Sequence, residues 1–242
     1  MTSLASPPQM QFLVTGETAC PYLPGRRERK LITELPTRQT EETYTMLAIA
    51  GFRRTHYMAY RPACRDCNAC VPVRIPIADF HPHRTHRRIL NRNADLKCTL
   101  QPTRASVEYF HLFCRYMRAR HPLSDMGNMN YGDFRAMLEE APIPTLIVEL
   151  RQADGQLLGA CLTDIGLDGY SAVYSFYEPR QSVRSLGTYL ILKSIAAVKE
   201  ARLGYLYLGY WVPGSTSMAY KSRFTPLEVL TQDGWRVRND QQ

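Results

Sequence analysis

Hydrophobic and polar positions follow two different periods along this chain. Thr40-Glu41-Glu42 opens a stretch that runs helically through Leu47 and Ile49 and stops at Gly51, with its acids in the first turn, where unpaired amides favour negative charge. A strand is predicted near 56–60. Over 71–77, Val71, Val73, Ile75 and Ile77 alternate with Pro72, Arg74 and Pro76, and because proline cannot donate to a ladder this strand is expected at an edge or irregular. Residues 84–93 space Arg84, Arg87, Arg88 and Arg92 three and four apart, which predicts a helix with a solvated cationic face. An amphipathic helix is predicted over 106–121, with Val107, Phe110, Phe113, Cys114 and Met117 inward and Pro122 ending it, then a shorter helix over 133–140. From Thr145 the period becomes two. Strands over 145–150 and 157–164, joined through Asp154-Gly155, and over 170–177, entered through Asp168-Gly169, form a predicted antiparallel meander. A helix over 185–202, closed by Gly204, and a strand over 205–211 complete the pattern, and residues 1–10 are expected to be loose.

The expected class is α+β in two interwoven lobes: an N-terminal cysteine-containing lobe over 11–100 and an acyltransferase lobe over 101–242. Three antiparallel strands, a helix and a returning strand form the order of the acetyl-CoA-dependent N-acetyltransferases, so the second lobe resembles that GNAT-like fold. There, glycines before the central helix let backbone amides hold the cofactor pyrophosphate. Here that turn reads Arg180-Gln181-Ser182-Val183-Arg184-Ser185-Leu186-Gly187, with a single glycine. Arg180 and Arg184 could meet a phosphate directly, which makes a nucleotide other than CoA plausible.

Composition narrows the setting. Apolar residues make up 45% and charged residues 21%, ordinary for a globular protein. No apolar run approaches the roughly 20 residues a bilayer span needs, so no membrane partner and a cytoplasmic location are expected. Seven cysteines, three of them at Cys64, Cys67 and Cys70, suit reduced thiols or a metal site better than secreted disulfides. Thirty Lys and Arg against 22 Asp and Glu leave a formal charge of +8, which favours polyanionic partners.

The segments Cys20-Pro21-Tyr22-Leu23-Pro24-Gly25-Arg26 and Cys64-x-x-Cys67-x-x-Cys70-Val71-Pro72-Val73-Arg74-Ile75-Pro76 resemble the arginyl-tRNA-protein transferase family, more closely its bacterial aspartate/glutamate leucyltransferase branch. Tyr174-Ser175-Phe176-Tyr177, Leu186-Gly187-Thr188-Tyr189, Tyr207-Leu208-Gly209-Tyr210-Trp211 and Met218-Ala219-Tyr220-Lys221-Ser222-Arg223-Phe224 carry the same resemblance. It implies transfer of leucine, or in relatives arginine, from aminoacyl-tRNA to a protein whose first residue is acidic, which creates a degradation signal. Leucyl-tRNA is the expected donor.

That chemistry can be set against the residues. The ester is already activated and the attacking α-amine has an ordinary pKa of about 7.7 to 8.0, so the reaction needs no cofactor and depends on positioning and charge placement. Donors must meet the tetrahedral oxyanion and a proton must reach the departing ribose hydroxyl, for which Tyr210, Tyr220 and Lys221 are the candidates. With 15 tyrosines in the chain, each also has an ordinary core role open to it. Arg74 is the first candidate to grip an acidic side chain, with Arg223 behind it and Tyr174 and Tyr177 as further substrate contacts; an internal ion pair is the competing role for Arg74. Arg88, Arg92, Arg180 and Arg184 are the candidate tRNA contacts, against the alternative of a solvated helix face. Cys20, Cys64, Cys67 and Cys70 could supply four thiolates to zinc or an iron-sulfur cluster, or simply pack.

Two other readings compete: an acyl-CoA-dependent N-acetyltransferase, opposed by the missing glycines, and a non-catalytic, metal-stabilised RNA-binding module, which would leave the second lobe idle.

Overall fold

A computed structural model describes residues 10–122 and 124–238, so the expectation for residues 1–9 falls outside the described region. The chain opens with β1 (Leu13–Val14), β2 (Thr18–Ala19), β3 (Arg27–Glu28) and β4 (Lys30–Glu34). Helix α1 (Thr40–Ile49) and the hairpin β5 (Arg53–Thr55) and β6 (Met58–Pro62) follow. These strands form a small sheet in the order β1-β4-β6-β5, with β2 and β3 as a separate ribbon.

Next come β7 (Val71–Pro76), α2 (Arg84–Arg92), β8 (Lys97–Pro102), α3 (Val107–Arg120) and α4 (Tyr131–Glu139). The meander β9 (Thr145–Arg151), β10 (Leu157–Ile165) and β11 (Gly169–Tyr177) leads to α5 (Leu186–Glu200), β12 (Tyr205–Trp211), β13 (Glu228–Thr231) and β14 (Gly234–Val237). An eight-stranded sheet in the order β14-β13-β7-β12-β11-β10-β9-β8 results. The architecture is mixed α and β. β7 comes from the first hundred residues and β8 straddles residue 100, and both are built into this sheet, so a division at residue 100 does not separate the two main sheets.

The large sheet is covered on both faces. Val148, Leu150, Leu158 and Cys161 pack with Leu190, Ile191 and Val198 of α5. Their neighbours in sequence, Ile147, Leu157, Ala160 and Leu162, pack with Leu112, Phe113 and Phe134 of α3 and α4. Opposite pleats serving two helical layers explain why β10 is hydrophobic almost throughout. β11 and β12 are parallel, which requires the crossover that α5 supplies.

Two expectations are refined. Of the two forms expected for β7, the irregular one is found and the edge position is not: β7 lies inside the sheet, its pairing with β12 carries a register shift, and β13 pairs only with Val73 and Arg74, so Pro72 and Pro76 fall outside the ladder on that side. In α3, Phe113 and Met117 are buried and Phe110 and Cys114 pack half-buried against the same cluster, as expected, but Val107 is exposed and Tyr109, Leu112 and Tyr116 complete the buried stripe. The tyrosines join the stripe because each ring can be buried once its hydroxyl is satisfied; Tyr109 donates to Glu149 at 2.6 Å.

A buried ion pair ties the small sheet to the large one. Arg54 on β5 meets Asp164 on β10 at 2.6 Å, with side chains 1% and 0% exposed, and the Tyr44 hydroxyl of α1 donates to the same carboxylate at 3.1 Å.

Candidate active site

β11 and β12 run side by side only from Gly169 to Ser171 and from Tyr205 to Tyr207. Beyond that level both strands carry a register shift. Against β10, pairing jumps from Thr163 with Ala172 to Leu162 with Tyr174, which leaves Val173 extra. Against β7, it jumps from Tyr207 with Arg74 to Gly209 with Val73, which leaves Leu208 extra. A bulge bends and twists its strand, so two at one level open a wedge between β11 and β12.

Arg53, the first residue of β5, fills the root of that wedge. Its guanidinium donates to the carbonyls of Ala172 and Val173 at 2.9 and 2.8 Å, groups that β12 no longer reaches. Gly209 is required opposite: its φ is +71°, and a Cβ there would overlap the Arg53 guanidinium. Burial lowers the Arg53 pKa, but the surrounding hydroxyls of Tyr60, Tyr210, Tyr22 and Tyr44 more than offset this, and the group stays cationic.

Tyrosines surround the cation. Tyr60 and Tyr210 hold their ring centroids 6.4 Å apart, and burial, aided by Tyr60, pushes the Tyr22 hydroxyl up to about 12. Tyr210, a candidate donor, is spent structurally, since its hydroxyl faces the carbonyls of Gly51 and Tyr60 at 2.9 and 3.1 Å.

The 3-10 turn Ala219–Arg223 brings in Tyr220 and Lys221. Lys221 is only 5% exposed and donates to the Tyr210 carbonyl at 2.5 Å. Burial first, then the field of Arg53, hold its amine well below the usual lysine range, with Cys70 acting the other way. Tyr220 is 38% exposed as a residue, and its hydroxyl is pushed up to about 12 by burial, with Arg53 opposing. Tyr220 also feels Tyr177, which leads to a second group of rings. Tyr116 and Tyr177 stand 4.8 Å apart, and Tyr174 donates to the Met117 sulfur at 3.0 Å. Tyr177 packs over Gly187, where a Cβ would lie 2.9 Å from its ring.

Of the residues singled out in the sequence, Tyr220, Lys221, Tyr174 and Tyr177 are thus brought to one region. Arg74 is not free for an acidic substrate. It binds Glu228 at 2.7 Å and the Tyr207 hydroxyl at 3.2 Å, with its guanidinium 3.5 Å from the Tyr205 ring centroid and 4.4 Å from that of Trp235. The internal pair wins because strand β13 places Glu228 directly opposite Arg74. Arg74→Ala should therefore lower stability by about 2–4 kcal/mol, read as a fall in Tm, without changing preference among acceptor peptides. The Arg223 side chain is exposed.

Among the candidate tRNA contacts, Arg88 and Arg180 are exposed. Arg184 is engaged by Asp95 at 2.8 and 2.9 Å, and Arg92 donates to the Val183 carbonyl at 2.5 Å, so this pair fastens α2 to the turn before α5. Cys20, Cys64 and Cys67 lie near enough to Cys70 to add to the effect of burial, which pushes the Cys70 thiol up to about 12. Among the described residues, however, no three of His, Cys, Asp and Glu are grouped as ligands of a metal ion. No step below runs through a metal.

Arg53, Tyr22 and Tyr60 were not singled out by sequence. Arg53 stands in an Arg-Arg pair that carries no spacing signal, and Gly209 inside an aromatic strand is the one trace its partner leaves.

Comparison with known proteins identifies the family of the chain. The family model described as "Arginine-tRNA-protein transferase, N terminus" matches residues 18–88, and its C-terminus counterpart matches residues 108–231. An aspartate/glutamate leucyltransferase from Parvibaculum lavamentivorans is 51% identical over 227 residues, covering 94% of each chain. One from Granulibacter bethesdensis is 51% identical over 225 residues, covering 93% of this chain and 84% of its own. Among solved structures, L-PGS from Bacillus licheniformis aligns with 70% of this chain and 50% of its own at 12% identity and a TM-score of 0.44, a distance that carries no argument. The chain is a transferase, and it belongs to the arginine-tRNA-protein transferase family.

Proposed function

We propose that the protein transfers leucine from leucyl-tRNA to the α-amine of proteins that begin with Asp or Glu, marking them for degradation, with charged tRNA and acidic N-termini as its partners in the cytoplasm. No helix among the described residues is long and apolar enough to cross a membrane. The observation that carries the reading is the buried Lys221 amine, bonded to the Tyr210 carbonyl and within the field of the Arg53 cation that fills the root of the β11–β12 wedge. The C-terminal lobe is read as a GNAT-like acyltransferase on the same ground, its helix α5 crossing between those strands.

The reaction forms a C–N bond and breaks a C–O bond. The α-amine attacks the ester carbon, and the carbonyl oxygen becomes an oxyanion. Tyr220, kept protonated by burial, donates to that oxygen. Lys221, held toward its neutral form, accepts the proton that the attacking nitrogen sheds and returns it to the departing ribose oxygen, so the step neither gains nor loses a proton overall. Arg53 supplies the fixed positive charge for the acidic side chain of the acceptor, the role first assigned to Arg74. Tyr174 and Tyr177 form an aromatic wall, and the exposed Arg88 and Arg180 meet tRNA phosphates, positioning the donor without reading its sequence.

The test is transfer of labelled leucine from leucyl-tRNA to peptides beginning with Asp, Glu or Asn, beside arginyl-tRNA and labelled acetyl-CoA. Label from leucyl-tRNA alone, on the acidic peptides alone, is expected. Label from acetyl-CoA, or none at all, would overturn the assignment.

A further inference from the structure

The turn that carries Tyr220 and Lys221 is five residues of 3-10 helix, too short to hold itself in place. Its start is tied to the backbone before it, by the amide of Met218 to the Ser215 carbonyl at 3.1 Å and that of Lys221 to the Met218 carbonyl at 3.2 Å. Its end is held from another element. His83 is the N-cap of α2, and its Nδ1 accepts the Thr85 amide at 3.2 Å. Because Nδ1 accepts, Nε2 carries the proton, and it donates to the Arg223 carbonyl at 3.1 Å. The same ring stacks on His86 at 3.6 Å between centroids, and His86 stacks on Phe224 at 4.9 Å. His86 Nδ1 is buried with no hydrogen-bond partner among the described residues, so at this position the ring contributes its flat face to the stack.

We infer that His83 is a positioning residue for the transfer reaction: one imidazole joins the first turn of α2 to the carbonyl of Arg223 and thereby fixes where Tyr220 and Lys221 stand. The inference rests on the roles given to those two residues above. It also gives α2 a second task. The helix on which Arg84, Arg87 and Arg88 are exposed is the one whose N-cap holds the end of the reactive turn.

His83→Asn separates the two bonds. Asparagine caps a helix as well as any residue, so α2 and the Tm are kept, but its shorter side chain cannot span to Arg223. Loss of that one bond should lower kcat about five- to tenfold with little change in KM for charged tRNA. It should also raise the midpoint of the pH–rate profile, because a looser turn admits water to Lys221, which is otherwise faced by Arg53, Cys70, Tyr210 and Tyr220. His83→Ala, which loses both bonds, should lower Tm as well. Wild-type kcat and profile in His83→Asn would overturn the inference, as would losses that only follow a fall in Tm. Lys221→Met run in parallel keeps the two readings apart. Full transfer by that variant defeats the roles of the turn itself, whereas an inactive Lys221→Met beside a wild-type His83→Asn defeats only the positioning role.

Discussion

Lys221→Met should lower the rate of leucine transfer by about a hundredfold to ten-thousandfold, the span over which a positioned proton carrier acts, while the protein becomes no less stable. Methionine fills nearly the same volume and asks for no partner. The stability side follows from the direction of the lysine shift. Its folded-state pKa lies well below the ordinary 10.5, so between those two values the unfolded chain binds more protons than the folded one. Stability contributed by this group therefore rises as pH climbs through that window, and at neutral pH the buried amine is a net cost. The variant should show an equal or higher Tm at neutral pH and a flatter dependence up to 10.5, measured by thermal unfolding across pH. Loss of both activity and Tm would instead mark Lys221 as a structural residue.

The second large effect concerns folding. Arg54→Ala would strand the Asp164 carboxylate, whose side chain is 0% exposed, and should cost about 3–5 kcal/mol, enough to unfold a marginal protein at moderate temperature. The Tyr44 hydroxyl would be the only remaining donor among those now bonded to that carboxylate. Arg54→Leu with Asp164→Leu should recover much of the loss, because two apolar groups of similar bulk need no pairing. Denaturant titration of the single and double variants checks both values.

These cases show which parts of the molecule sequence can reveal. β9 to β12 and α5 are legible because their buried positions repeat over six or more residues, and each begins or ends at a glycine or an Asp-Gly turn. β8 escaped because it is an edge strand whose exposure follows no clean alternation, and β13 and β14 because four residues give a period-two pattern too little room. The site divides in the same way. Tyr220 and Lys221 were reachable through a motif local to one turn, whereas Arg53 acts on Ala172 and Val173, more than a hundred residues away, through bulges that no spacing announces. For Arg74, distance along the chain left the choice between an acidic substrate and an internal pair open. The acid that pairs with this arginine between prolines comes from a strand 154 residues later, so local spacing could not name it.

The most direct measurement is the ratio of leucine transfer to a peptide beginning with Asp over one beginning with Asn, taken for the native protein and for Arg53→Met. The native protein should favour Asp by about a hundredfold, and the preference should collapse toward unity in the variant while leucyl-tRNA binding is retained. An undiminished preference for Asp in Arg53→Met would contradict the claim that the β11–β12 wedge is where an acidic N-terminus meets the activated ester.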